Sequence, residues 1–90
     1  MGKFTNVYNE ERTKEQYVDD KIQMLDDFLI FSKRPFLNKR TVEDRKSWVK
    51  RILMIQETDI QIDALCRMLT VKEMPVDAFI DQYAKKYFDI

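Results

Sequence analysis

The chain lacks the residues on which most catalytic and nucleotide-binding motifs depend. In 90 residues it has no histidine, one glycine at position 2 and two prolines. Without histidine the most common general base and metal ligand is missing, and without glycine no phosphate-binding loop can form. Paired aspartates at 19–20 and 26–27 point about 100° apart on a helix, so they do not converge on a metal. The sequence therefore predicts a protein that is not an enzyme and uses no metal, cofactor or small-molecule substrate.

Long apolar runs and an excess of one charge are also missing. No segment approaches about 18 consecutive apolar residues, and the first residues lack the apolar stretch of a secretory signal. The single cysteine cannot form an internal disulfide, which is typical of a reducing compartment. The 16 basic and 16 acidic residues cancel, so there is no overall charge that would attract a polyanion. We expect a soluble, cytoplasmic protein that does not associate with a membrane.

Helical periodicity is what the sequence does contain. Capping signals at Thr13, Thr41 and Thr58 each precede apolar residues at helical spacing, and a fourth stripe follows Pro75. This pattern predicts an all-α fold, a compact bundle of four helices with a helix-turn-helix-like corner near the C-terminus. Residues 1–12 are expected to form an N-terminal arm and residues 13–90 a single helical domain. Whether the second and third helices are continuous through Thr58 stays open at this stage.

The apolar stripes predict which side chains form the core. The first helix is expected to run from Thr13 to Lys33, because the residue before Pro35 is driven out of the helical region. Its arc is wide enough for two neighbours, which predicts a central position. Met54 is expected on the polar side of the second helix. The predicted buried residues, helix by helix, are Tyr17, Val18, Ile22, Met24, Leu25, Phe28, Leu29, Phe31; Trp48, Val49, Ile52, Leu53, Ile55; Ile62, Leu65, Cys66, Leu69; Val76, Phe79, Ile80, Tyr83, Ala84 and Tyr87.

Residues 60–80 resemble a helix-turn-helix unit. Five apolar residues match the positions that hold the two helices of such a unit together, namely Leu65, Leu69, Val71, Val76 and Phe79. Cys66 matches the small buried position, and Thr70 stands where the pattern prefers glycine. The resemblance implies a DNA-binding transcription regulator whose last helix enters the major groove. Base contacts would then come from Glu73, Met74, Asp77 and Ala78.

Two charged surfaces are candidate binding sites. Residues 33–51 hold eight basic residues against Glu43 and Asp44, a net charge of +6. The candidate contacts to nucleic acid or to an acidic partner are Lys39, Arg40, Arg45, Lys46, Lys50 and Arg51. The alternative is that this basic segment is neutralised by the acidic helices of the protein itself. A second candidate, the acidic patch, consists of Glu73, Met74, Asp77 and Asp81 and would bind another protein.

Two functions remain open from the sequence. The preferred hypothesis is a small protein that docks onto a partner protein as an adaptor or inhibitor. Its composition is typical of bacteriophage and mobile-element proteins, and its acidic patch could target a nucleic-acid-handling enzyme. The alternative is the helix-turn-helix-like DNA-binding regulator. Docking is preferred because carboxylates on the would-be recognition helix cannot make bidentate contacts to guanine.

Overall fold

The computed structural model describes residues 11–33 and 40–89. These form four helices, α1 (Lys14–Asp27), α2 (Val42–Met54), α3 (Asp59–Thr70) and α4 (Val76–Phe88). The predicted all-α fold with four helices is therefore confirmed. Most of the predicted N-terminal arm, together with Arg34 and Lys39 of the basic segment, lies outside the described residues.

The helices begin where the capping signals predict. At Thr13 and Thr58 the hydroxyl accepts from the backbone N–H three residues later, while the Gln16 and Gln61 side chains accept from the backbone N–H of the capping threonine. Thr41 caps α2 by accepting from the backbone N–H three residues on. Because Thr58 starts a new helix, α2 and α3 are separate, and the chain turns between them at residues 55–58.

Side-chain contacts fix the relative direction of α1 and α2. Asp19 pairs with Lys50 at 3.0 Å, and Asp26 pairs with Lys46 at 3.4 Å. Residues later in α1 thus meet residues earlier in α2, so the two helices are antiparallel. Since α1 also packs against α3, its predicted contact with two neighbours is confirmed, but α2 likewise packs against two helices, α1 and α4, so α1 alone is not central.

Helix α3 runs parallel to α1, and helix α4 runs parallel to α2. The hydroxyl of Tyr17 donates to Asp63 at 2.6 Å, which places the first halves of α1 and α3 side by side. Arg45 and Asp77 join the first turns of α2 and α4, while Trp48 contacts Phe88 near the last turn of α4. The C-termini of α1 and α3 therefore lie at one end of the bundle. The C-termini of α2 and α4 lie at the opposite end.

The core contains most of the residues that the stripes predict. Every predicted core residue of α3 is buried, and so are those of α4 except Tyr87. Trp48 is only partly buried, and Ile55 and Tyr87, at the ends of α2 and α4, are exposed. Met54 was predicted on the polar side of its helix, but it is partly buried against the core.

The first helix ends four residues earlier than its last predicted apolar residue. The N–H of Leu29 donates to the carbonyl of Asp26 at 2.9 Å, and the N–H of Ile30 donates to the carbonyl of Leu25 at 3.0 Å. These two bonds are the Schellman arrangement that closes a helix. The prediction that Phe28 and Leu29 belong to the buried stripe is wrong, since they are 61% and 62% exposed. Ile30 and Phe31 are buried instead, because the turn redirects the chain.

Leu29 adopts a left-handed backbone conformation, with φ 61°. This conformation costs an L-residue other than glycine about 1–2 kcal/mol, and asparagine tolerates it better. We expect Leu29→Asn to raise the free energy of unfolding by about 1 kcal/mol, because the exposed leucine side chain contributes little packing. Leu29→Val should lower it, since a branched Cβ is least compatible with positive φ. Urea unfolding of the three proteins tests this; a loss of stability in Leu29→Asn would contradict it.

The corner between α3 and α4 turns later than the helix-turn-helix pattern requires. Thr70, predicted at the glycine position of the turn, is still helical, and its hydroxyl donates to the carbonyl of Cys66. The left-handed residue is Glu73, with φ 52°. Val71 was matched to a buried position but is 73% exposed, since it caps the end of α3. Pro75 precedes α4 as its N-cap.

Candidate docking surfaces

The acidic patch predicted on the last helix does not exist as one exposed surface. Asp77 is 1% exposed, because its position in the first turn of α4 faces the first turn of α2. Met74 packs partly against the core, and Asp81 pairs with Arg40 at 2.7 Å. Glu73 is the fully exposed member, on the turn before the helix. The prediction that these residues form a common docking patch is therefore wrong in its placement of Asp77.

Asp77 is part of a buried ionic network. Its Oδ1 accepts from Nε of Arg45 at 3.2 Å and lies 3.7 Å from Nη1 of Arg40. Arg45 is itself buried and donates from Nη1 to the carbonyl of Phe31 at 2.9 Å. The network thus ties α2 and α4 to the segment that follows α1. Removing one member would leave a buried charge without its partner, so the network has a structural role.

The basic segment is also largely neutralised within the protein. Arg40 and Arg45 are engaged by aspartates of α4, and Lys46 and Lys50 by aspartates of α1. The hydrogen bond to Asp19 raises the pKa of Lys50, which keeps its ammonium group charged. Of the predicted basic contacts, Arg45 is buried, and Lys39 lies outside the described residues. The alternative that acidic helices of the same chain neutralise this segment agrees with the observed pairs.

Arg51 is the described member of the predicted basic set that pairs with no carboxylate. Its guanidinium carbon lies 4.4 Å from the ring centre of Trp48 and 4.8 Å from that of Phe88. Lys85 and Lys86 are exposed in the last turn of α4, the helix that carries Phe88, and Nζ of Lys86 lies 5.3 Å from the ring centre of Tyr87. Neither lysine makes an ion pair within the described ranges. We call Arg51, Lys85, Lys86 and the two aromatic rings the Arg51 surface.

The opposite end of the bundle carries exposed apolar side chains. Phe28 and Leu29 follow α1, and Val71 follows α3 at the same end. Met24 lies one turn before Phe28, on the same face of α1. We call these four residues the Phe28 surface. The sequence does not reveal this surface, because a helix end formed without glycine or asparagine has no recognisable sequence signal.

An open groove lies next to the Phe28 surface, between α1 and α3. Its volume is about 230 Å³, and Met24 and Val71 contribute to its wall. The other lining residues are Lys21, Asp63, Cys66, Arg67 and Thr70. Asp63 is engaged by Lys21 at 3.1 Å and by the hydroxyl of Tyr17. Arg67 is exposed, and no carboxylate in the described part of the chain pairs with it. The groove is therefore lined by polar and apolar side chains from both helices, and Arg67 is its cation that no carboxylate of the described residues pairs with.

Two titratable groups near this groove, Cys66 and Tyr17, have raised pKa values. Burial raises the pKa of the Cys66 thiol to about 12, which keeps it protonated and unreactive at neutral pH. Burial and the hydrogen bond to Asp63 raise the pKa of Tyr17 above its ordinary value. Among residues 11–33 and 40–89, no cluster of three metal-binding side chains is found. None of the helices in these ranges is long and apolar enough to cross a membrane.

Comparison of the chain with protein families, with curated proteins and with solved structures finds no match. The function is therefore inferred from the geometry of the two exposed surfaces and from the charges around them.

Proposed function

We propose that this protein is a non-enzymatic docking protein, an adaptor or inhibitor, that binds a partner protein through the Phe28 surface. The observation that supports the proposal is the position of Phe28 and Leu29. A hydrogen-bonded turn holds both side chains in solvent while it buries the next two residues. The single buried cysteine fits a reducing compartment, so we place this activity in the cytoplasm.

The arrangement matches what a protein interface needs. Interfaces gain most of their energy from a few large apolar anchors surrounded by a polar rim. Full burial of a leucine or phenylalanine side chain contributes about 1.5–3 kcal/mol, so Phe28 and Leu29 would be the main anchors. The strained backbone of Leu29 adds support, because strain is retained most often where a side chain is needed for function.

The groove beside the anchors indicates the kind of partner. Met24 and Val71 border a depression between two helices, which could receive the apolar stripe of an amphipathic helix. Since Lys21 and Asp63 neutralise each other, the remaining charge in the groove is that of Arg67. We therefore expect a partner helix with an acidic residue next to its apolar stripe. DNA is a weaker candidate, because four of the six described cations of the basic segment are already paired with aspartates of the same chain.

Site-specific photocrosslinking tests the proposal. Benzoylphenylalanine at position 28 replaces one aromatic side chain by another, so the fold should tolerate it. In the cells that produce the protein, we expect a covalent adduct with one partner protein. The matched control carries the same group at Ile60, which is 76% exposed but lies in the first turn of α3, at the opposite end of the bundle. That control should give no such adduct.

A second variant separates binding from folding. Leu29→Asn combined with Val71→Ser removes two apolar side chains of the Phe28 surface and should keep the thermal stability. The adduct at position 28 should then be lost. Adducts with the same partner that form equally at positions 28 and 60, adducts that contain nucleic acid, or adducts that contain only a second copy of this chain would each contradict the proposal.

A further inference from the structure

We infer that the Arg51 surface is a second docking site and that it binds an acidic, partly apolar segment of a protein. It lies at the opposite end of the bundle from the Phe28 surface, so the inference does not depend on the proposed function. A chain with both sites would hold two protein elements at the two ends of one small domain.

The distribution of ion pairs singles out this surface. Arg40, Arg45, Lys46 and Lys50 are each engaged by an aspartate of the same chain. Arg51 lies on α2, like Lys46 and Lys50, but its charge is matched by no carboxylate in the described residues. Lys85 and Lys86 add two cations from α4. In part these charges offset the negative ends of the two helix dipoles, but solvent-exposed cations also remain available to a carboxylate.

The aromatic support of Arg51 prepares it to bind a carboxylate. Trp48 and Phe88 meet edge to face at 6.1 Å and hold the guanidinium against their rings. A guanidinium that lies against aromatic rings keeps its N–H donors for in-plane hydrogen bonds, and its forked donors match a carboxylate. Because the side chain is already ordered, less conformational entropy is lost when a ligand binds.

The neighbours of Arg51 favour a protein segment over nucleic acid. Ile55 lies one turn after Arg51 on the same side of α2 and is 41% exposed, and Tyr87 is exposed in the last turn of α4. A phosphate backbone offers no apolar group to contact the exposed isoleucine, whereas a protein segment that alternates acidic and apolar residues would cover it. Asp89 also lies at this end and reduces the local positive charge. So few cations would give only weak binding to a polyanion, because the affinity depends on the number of phosphates that are neutralised.

Peptide binding to the full chain tests this inference. The probe is a short fluorescein-labelled peptide in which aspartate alternates with leucine, and fluorescence anisotropy gives the dissociation constant. We expect saturable binding, and we expect Arg51→Gln to weaken it by about tenfold. The matched control is Lys50→Gln, which removes the same charge from the neighbouring position, where Asp19 already pairs with the lysine. That variant should bind the peptide like the unmodified protein.

A second variant and two further ligands distinguish binding of an acidic, apolar peptide from binding of nucleic acid. The double variant Lys85→Gln with Lys86→Gln keeps Arg51 on the rings of Trp48 and Phe88. It therefore tests the positive charge of this surface even if Arg51→Gln perturbs folding. It should also weaken peptide binding. A peptide with serine in place of leucine should bind less tightly. Equal effects of Arg51→Gln and Lys50→Gln, or tighter binding of single-stranded oligothymidylate than of the peptide, would overturn the inference.

Discussion

Replacing Asp77 by alanine is expected to destabilise the protein by about 3–5 kcal/mol, because it leaves a buried guanidinium without its carboxylate. Arg45 is buried, and Asp77 is the carboxylate that its Nε contacts. Domains of this size have unfolding free energies of about 5–15 kcal/mol, so the loss is a large share of the total. Chemical unfolding monitored by circular dichroism measures it.

The matched control is Asp81→Ala, one turn later on the same helix. Asp81 also pairs with an arginine, Arg40, but its side chain is 40% exposed, so water can replace the lost partner. We expect a cost of at most about 1 kcal/mol. Exchanging both members of the buried pair for apolar residues, Arg45→Met with Asp77→Leu, should recover much of the stability. Equal losses in the two alanine variants would show that Asp77 is not the centre of the network.

Because of this network, replacing Asp77 and Asp81 by lysine would test the stability of the fold and not the binding of a partner. If Asp77 and Asp81 were both exposed, replacing them by lysine would probe a docking surface without affecting the fold. Asp77→Lys instead places a third cation beside Arg45 and Arg40. We therefore expect this variant to unfold, so that its partner binding could not be interpreted. Phe28, Leu29 and Arg51 are better targets, because their side chains are exposed.

The parts of the fold that the sequence predicts correctly are those set by neighbours along the chain. A capping threonine and its partner glutamine are three residues apart, as at Thr13 and Gln16, so both ends of the interaction are visible in one short segment. The same is true of the apolar stripe of α3, where spacing alone places Leu65 and Leu69 on one face. These features depend on helix geometry, which needs no knowledge of the other helices.

The parts that the sequence does not predict depend on contacts between distant segments. Arg45 and Asp77 are 32 residues apart, and each is a surface residue by type, so neither segment alone indicates burial. The early end of α1 has a related cause. Its closing turn has Leu29 at the left-handed position where glycine is usual. The free energy gained by burying Ile30 and Phe31 in the core offsets the strain of that turn.

Truncation of Phe31 tests this account of the turn and should have the second largest effect on stability. Phe31 is fully buried, and its carbonyl accepts from Arg45. Phe31→Ala should cost about 3–5 kcal/mol, from lost apolar burial and the cavity that remains. Phe28→Ala, three residues earlier, should cost less than about 0.5 kcal/mol, because that ring is mostly in solvent.

The comparison of these two variants is informative because a continuous first helix predicts a different outcome. If the helix ran on to Lys33, Phe28 and Phe31 would share one buried stripe at helical spacing, and both truncations would be costly. Unfolding free energies from urea titrations decide between the two. A large loss in Phe31→Ala alone supports the turn at Leu29, and with it the exposure of Phe28 on which the proposed docking function depends. Similar losses in both variants would remove the structural basis of that surface.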